Sequence, residues 1–199
     1  MEDTRYAPVR IALALAVALC LCCARATTGP MRIPLRWTPT DDAHLPAATV
    51  DALKKQAISV DSFVDTREDR ASIGKNTELK DAGLVSTPDN VGAFLAARFR
   101  EVLGANGVST VVSGAPRVIK AEVQKYFVTE GETYLADVVL RFTVADGAGR
   151  TLWQGIGEGH ANRWGRTFNE ENYQEALTNA FLEATKDVMR NREFLAAFR

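Results

Sequence analysis

The chain has 199 residues, of which 46% are hydrophobic and 25% charged, and these proportions are ordinary for a globular protein. The length suffices for one domain with a buried core, and the composition argues against a chain that is disordered throughout. The formal net charge is −1, with 24 basic and 25 acidic residues, so the sequence lacks the basic bias that nucleic-acid binding needs.

The first 26 residues differ from the rest of the chain and predict an export signal. Arg5 and Arg10 flank the start of an apolar run, Ile11 to Cys23, which is too short to span a bilayer comfortably. Ala24-Arg25-Ala26 has the small-x-small spacing of a signal-peptidase site. A buried helix of the fold is the alternative, but the run is apolar all round and has no helical periodicity.

The three cysteines, Cys20, Cys22 and Cys23, all lie in this segment. Bacterial lipoproteins are acylated on a cysteine that ends an export signal, and Cys23, followed by small and polar residues, fits that position. The residues before it depart from the usual lipoprotein motif, which prefers an aliphatic residue three positions earlier and a small one immediately before. Two predictions therefore stand: acylation of Cys23 and anchoring in the membrane, or cleavage after Ala26 to give a soluble protein.

Residues 27–56 are predicted to form an N-terminal arm with an edge strand, followed by a single α+β domain at residues 57–199. Within the arm, Met31 to Trp37 alternates enough for a short strand, and Pro34 restricts that strand to an edge or an extended segment. Thr38 to Ala48 contains two prolines and two aspartates and is expected to be irregular. The domain begins with a predicted strand, Ala57 to Val64, with Ile58, Val60 and Phe63 facing inward.

The segment from Asp65 to Thr87 is polar and long for a connection between two elements, and such loops tend to be functional or mobile. Ile73-Gly74 interrupts it and is also consistent with a short edge strand. Four charged residues near its start are predicted to bind a partner: Arg67, Glu68, Asp69 and Arg70. The two arginines would be the anchors, because a guanidinium pairs bidentately with a carboxylate or a phosphate. The alternative is a solvated loop whose arginines pair with its own carboxylates.

Two amphipathic helices are predicted. Thr87-Pro88-Asp89-Asn90 is typical of a helix start, with a hydroxyl cap and an early proline, and Gly104 or Gly107 would end this helix. Asn169 would open the second helix. The residues predicted to face the core are Val91, Phe94, Leu95, Phe99, Val102 and Leu103 in the first helix, and Tyr173, Leu177, Ala180, Phe181, Ala184 and Val188 in the second.

A short strand, Val108 to Val112, precedes three long strands between Arg117 and Arg163, which alternate apolar and polar residues. One face of the third strand carries Gly155, Gly157 and Gly159 and would admit a helix or another backbone. The element order β-β-α-β-β-β-β-α predicts a two-layer α+β sandwich, in which two helices cover one face of a mainly antiparallel sheet.

The sequence predicts neither a cofactor nor a metal, and no enzyme. The glycines of the third strand do not form a dinucleotide-binding loop, because His160 occupies the position of the third glycine and a strand continues there. His44 and His160 are too few for a zinc site. No Gly-x-Ser-x-Gly elbow accompanies them, and His160 is expected to be a solvated strand residue.

Several short segments, taken in order, resemble the YajG-type bacterial lipoproteins, a largely uncharacterised family. They are Cys23-Ala24, Ile33-Pro34-Leu35-Arg36-Trp37-Thr38-Pro39, Phe63-Val64-Asp65-x-Arg67, Ile73-Gly74, the helix ending in Gly107 and the helix containing Ala176-Leu177. The resemblance implies an envelope protein on the periplasmic side of the outer membrane, or in the soluble periplasm without acylation. It implies no catalytic residues.

Two functional hypotheses follow. The first is a non-enzymatic lipoprotein that serves as an accessory or adaptor subunit and docks onto an envelope protein or a lipid-handling complex. The second is a soluble periplasmic binding module that holds a small apolar ligand under the glycine-lined strand.

Overall fold

The computed structural model describes residues 30–78 and 83–199, which form one nine-stranded sheet with four helices. The export segment and Cys23 lie outside the described residues. The elements are β1 (Met31–Arg32), α1 (Ala47–Leu53), β2 (Ile58–Val60), β3 (Val64–Asp65), β4 (Ser72–Asn76), β5 (Leu84–Ser86), α2 (Val91–Ala105), β6 (Thr110–Val111), β7 (Arg117–Glu130), β8 (Thr133–Asp146), β9 (Thr151–Trp164), α3 (Glu170–Arg190) and α4 (Arg192–Ala196).

The long strands β7, β8 and β9 form the predicted antiparallel meander. The second edge of β7 pairs in turn with the short strands β2, β3 and β4, all of them parallel to it. Beyond them, β6 pairs with β2, β5 with β4, and β1 with β5. The mixed sheet and its helices confirm the predicted α+β sandwich.

Both long helices pack on one face of the sheet. The ring of Phe142 on β8 lies 5.6 Å from the ring of Phe99 on α2, and β9 contacts α3 at Gly157. The apolar residues that alternate along β8 are all buried: Tyr134, Ala136, Val138, Leu140, Phe142 and Val144. The intervening residues of the meander face away from the helices, on a surface that we call the open face.

Helix α3 lies directly against the glycine-lined strand, as the sequence predicted. A Cβ atom on Gly159 would collide with the carbonyl oxygen of Ala180, and one on Gly157 would lie 2.5 Å from the carbonyl oxygen of Ala184. At Gly155 the indole of Trp153 occupies the equivalent space. The backbone of α3 therefore fills the place in which the second functional hypothesis put an apolar ligand.

The N-terminal arm contains less strand and more helix than predicted. Only Met31–Arg32 pairs with the sheet, and the irregular segment ends at helix α1, which the sequence analysis missed. Ile33 and Leu53 are fully buried in the same core as the sheet. Residues 33–45, which we call the strap, therefore cross the outside of the helical layer and extend the core instead of projecting from it.

Polar side chains of α3 bind the strap. The side-chain oxygen of Asn179 accepts hydrogen bonds from the backbone N–H groups of Thr40 and Asp41 at 3.1 and 3.3 Å. The Gln174 amide donates to the carbonyl oxygen of Pro34 at 3.0 Å. These bonds satisfy the buried amide groups of Gln174 and Asn179, which explains why α3 can bury amide side chains as well as apolar ones.

The segment from Asp65 to Thr87 contains two strands. Ile73-Gly74 belongs to β4, which lies between β7 and β5, so the suggested edge position is wrong. Asn90, and not Thr87, caps α2, since its side-chain oxygen accepts from the N–H of Ala93 at 2.9 Å. Pro88 and the Thr87 hydroxyl precede the helix and shape the turn leading into it, in which that hydroxyl accepts from the N–H of Asp89.

Candidate functional site

Arg67, the first residue predicted to bind a partner, lies inside the protein with its side chain 6% exposed. Its guanidinium donates two hydrogen bonds to the carboxylate of Asp65, at 2.9 and 2.7 Å. It also donates to the carbonyl oxygens of Ser72, Tyr126 and Arg70, at 2.8, 3.3 and 2.8 Å. All five N–H groups of the side chain are thus bound within the chain. This position gives Arg67 a structural role.

Glu68, Asp69 and Arg70 are exposed on the connection between β3 and β4, residues 66–71, which we call the charged loop. The carboxylate of Asp69 accepts from the backbone N–H groups of Ala71 and Ser72 at 3.0 and 3.1 Å. Hydrogen bonding with Ser72 is the main cause that holds the pKa of Asp69 below its usual value. Asp69 therefore shapes the loop, and the side chains of Glu68 and Arg70 have no ion-pair partner among the described residues.

A cleft of about 350 Å³ lies beside the charged loop. It is lined by Phe63, Val64, Asp65, Arg70, Asp89, Asn90 and Val91. Of its two carboxylates, Asp65 is engaged by Arg67, and Asp89 accepts from the backbone N–H of Leu35 at 2.7 Å. Arg70 is thus the charged group of the cleft that remains available to a partner. Val64, which is 58% exposed, adds an apolar contact surface.

The three tryptophans have different surroundings. Trp153 packs against Phe194 with the ring centroids 5.2 Å apart, and Trp37 of the strap packs against Phe181 at 6.0 Å. Trp164 is 82% exposed at the end of β9. Trp164 is therefore the tryptophan that is placed to contact another molecule.

His160 lies exposed on the open face, as predicted, with its side chain 70% accessible. Its Nδ1 atom is 2.7 Å from one carboxylate oxygen of Asp137, and the Lys125 ammonium is 2.7 Å from the other. Burial raises the pKa of Asp137, but the hydrogen bonds from Lys125 and His160 outweigh it and the pKa is lowered. The group is an exposed ion-pair cluster. His44, on the strap, is likewise exposed and hydrogen-bonds Asp42.

The sequence analysis missed a buried carboxylate, Glu130, which is 1% exposed at the end of β7. Its oxygens accept from the hydroxyl of Tyr173 at 2.7 Å and from the N–H of Phe168 at 2.8 Å. Burial is the main cause that raises the pKa of Tyr173, and the hydrogen bond to Glu130 raises it further. The alternation of Tyr126 and Val128 could have placed Glu130 inward. The bulge between Val123 and Lys125 breaks that alternation in the sequence.

Within residues 30–78 and 83–199, no three His, Cys, Asp or Glu side chains come close enough together to hold a metal ion. Among the same residues, no helix is both long and apolar enough to cross a membrane.

No family model matches the chain, and neither does any curated protein. Among solved structures it is similar to a Xanthomonas campestris protein of the DUF330 family, with 9% identity, a TM-score of 0.52, and coverage of 81% of this chain and 91% of that one. It is also similar to a provisionally assigned lipoprotein of Caulobacter crescentus, with 10% identity, a TM-score of 0.48, and coverage of 76% and 96%. PelC of Paraburkholderia phytofirmans, which is a dodecamer, has 14% identity, a TM-score of 0.43, and coverage of 74% and 94%.

The likeness to the Xanthomonas campestris protein supports a shared fold and nothing more, because the identity is too low to transfer function. The other two similarities are too weak to carry an argument. The resemblance to YajG-type lipoproteins remains a prediction from the sequence.

Proposed function

We propose that this protein is a non-enzymatic lipoprotein of the bacterial envelope that acts as an adaptor subunit. In this proposal an acyl anchor on Cys23 holds it on the periplasmic side of the outer membrane, and the charged loop binds a partner protein of the envelope. The supporting features are the apolar run that ends at Cys23 and the exposed, unpaired Arg70 beside a cleft.

The observation that carries the proposal is the internal clamp on the charged loop. Arg67 binds Asp65 and three backbone carbonyls, so the conformation of the loop is fixed before a partner arrives. A preorganised loop loses less conformational entropy on binding, which leaves more of the interaction energy for affinity. Loops held on a rigid scaffold are also where binding residues concentrate.

The chemistry of the cleft favours a partner that presents a carboxylate. The guanidinium of Arg70 can form a bidentate pair with a carboxylate, and Val64 offers an apolar contact next to it. Such a pair specifies orientation as well as attraction, because both hydrogen bonds must be made in one plane. The adaptor would thus recognise an acidic side chain or the C-terminal carboxylate of its partner.

Site-specific photo-crosslinking tests the loop. A photoreactive amino acid in place of Glu68, which is exposed near Arg70 on the same loop, should give one discrete protein adduct in intact cells, and the same residue in place of Arg192, which is exposed on α4, should not. Adding Arg70→Glu to the Glu68 probe should abolish recovery of this adduct from detergent-solubilised envelopes, whereas adding Arg192→Glu should leave it unchanged. Equal recovery with both variants would refute the role of the charged loop.

Metabolic labelling tests the anchor. The wild type should incorporate an alkyne-bearing fatty acid and fractionate with membranes, and Cys23→Ser should be unlabelled and soluble. Mass spectrometry gives the mature N-terminus directly. An unlabelled wild type that begins after Ala26 would show that the protein is not a lipoprotein.

A further inference from the structure

A row of exposed residues crosses the open face near the turn between β7 and β8. The strand register places Leu84 beside Lys75, Lys75 beside Thr129, and Thr129 beside Leu135. Leu135 in turn faces Asn162 on β9, and Trp164 lies two residues further along the same face. We call this set the terminal row: Leu84, Lys75, Thr129, Leu135, Asn162 and Trp164.

Three of the six residues in the terminal row are large apolar side chains that are exposed to solvent. Leu84 is 46% exposed, Leu135 50% and Trp164 82%. Lys75 is the only charged residue among the six, and the row has no carboxylate. With strands about 4.8 Å apart, the row extends roughly 20 Å from β5 to β9. It offers two leucines, a tryptophan and one cation to a single flat partner.

The chain enters the sheet beside this row. β1 runs parallel to β5 with Met31 opposite Val85, so Pro30 is in register with Leu84, one residue earlier in each strand. Cys23 precedes Pro30 by seven residues, which span at most about 25 Å when fully extended. An anchor on Cys23 therefore holds Pro30, and with it the Leu84 end of the row, within that distance of the membrane.

We infer that the terminal row is the membrane-facing surface of the protein and lies on the lipid headgroups. This inference rests on the proposed acylation of Cys23. Trp164 is suited to the headgroup level, where tryptophan is enriched, and the leucines to the boundary with the acyl chains. Lys75 can extend its ammonium group towards lipid phosphates, which would repel a carboxylate in the same place.

The row orients the protein, whereas the anchor retains it. Val64, beside the cleft, pairs with Glu122. Thr129 of the row lies seven residues further along β7, which is roughly 20 Å because the bulge takes up one residue. With the row on the bilayer, the cleft at Arg70 would lie roughly 20 Å from the row along the strands, away from this contact and open to a partner. Without the row, a short tether alone would let the protein rotate.

Depth-dependent quenching tests the inference. The full-length acylated protein is reconstituted in vesicles of phosphatidylethanolamine and phosphatidylglycerol, with or without brominated acyl chains. The emission of Trp164 is obtained as the difference between wild type and Trp164→Phe, which leaves Trp37 and Trp153 in place. We expect this emission to be shifted to the blue on reconstitution and to be lost with brominated lipid.

Two further variants of the reconstituted protein sharpen the result. Leu135→Glu should restore a red-shifted, unquenched Trp164, and Val112→Glu, at a fully exposed position outside the row, should not. Circular dichroism of both variants should match the wild type, since both positions are on the surface.

The outcomes separate the inference from the proposed function. If mass spectrometry shows acylation and the vesicles retain the protein, but Trp164 stays unquenched, the membrane-facing row is refuted and the anchor stands. If the protein carries no acyl chain, the anchor fails and the inference fails with it. A photoreactive residue at Leu135 that forms a protein adduct in cells would show that the row is a protein-docking surface, which also overturns the inference.

Discussion

Replacing Arg67 with methionine should destabilise the fold, because the side chain is a buried clamp. Methionine keeps the apolar stem but removes all five donors. The Asp65 carboxylate, 13% exposed, then has no cation, and breaking one partner of a buried ion pair typically costs about 3–5 kcal/mol. The carbonyl groups of Ser72, Tyr126 and Arg70 also lose a donor, at about 1 kcal/mol each where water cannot replace it.

These contributions overlap, so we expect Arg67→Met to lower the free energy of unfolding by about 3–5 kcal/mol, a large share of the roughly 5–15 kcal/mol typical of a domain. Urea denaturation followed by circular dichroism would measure it as a lower midpoint. Adding Asp65→Leu should recover part of the loss, because the uncompensated carboxylate is then gone. Arg70→Met, on the same loop but exposed, should change stability by less than about 0.5 kcal/mol.

Two results would refute this reasoning. One is an Arg67→Met protein as stable as the wild type, which would mean that the guanidinium contributes nothing to the fold. The other is an equal loss in Arg70→Met, which would mean that any change in the charged loop is destabilising.

Three other substitutions test the packing and the buried tyrosine. Gly159→Ala should lower the free energy of unfolding by roughly 1–3 kcal/mol, because the new methyl group meets the Ala180 carbonyl of α3. Gly104→Ala, with no atom within 4 Å of the added Cβ, should raise it by up to about 1 kcal/mol. Urea midpoints that move in the same direction for both variants would contradict the helix contact. Because the pKa of Tyr173 is raised, the folded state keeps a proton that the unfolded state releases above pH 10, so stability should fall above that pH by about 1.4 kcal/mol per pH unit for this group. In Tyr173→Phe the melting temperature should decline less steeply between pH 10 and 11, and an unchanged slope would show that Tyr173 ionises freely in the folded protein.

The long elements were predictable because their side-chain periodicity persists over many residues. Alternation through β8 identified its buried face, and the glycines of β9 identified the surface on which α3 packs. In both cases one type of contact repeats along the whole element, so the sequence records it several times. The helix face of α3 was predictable for the same reason.

The pairing of the short strands and the role of Arg67 could not be predicted. β2 and β3 have three and two residues, and both pair with β7, which comes much later in the sequence. Arg67 is one of several charges in a polar run, where solvation is the default expectation. Its burial depends on carbonyl groups from three separate positions, and a linear pattern does not show that these converge.

The strap and helix α1, near the N-terminus, bind helix α3, near the C-terminus. The core can therefore be completed only after α3 is available. Pro34 bonds to Gln174, and Thr49 on α1 bonds to the carbonyl oxygen of Met189, each across 140 residues. Such distant contacts form late, since the loop they close is long. A chain that crosses a membrane with its N-terminus first would therefore be unable to complete its core until α3 had followed. If the protein is exported, this order of contacts would keep the chain unfolded during transport and delay its compaction until it has crossed the membrane.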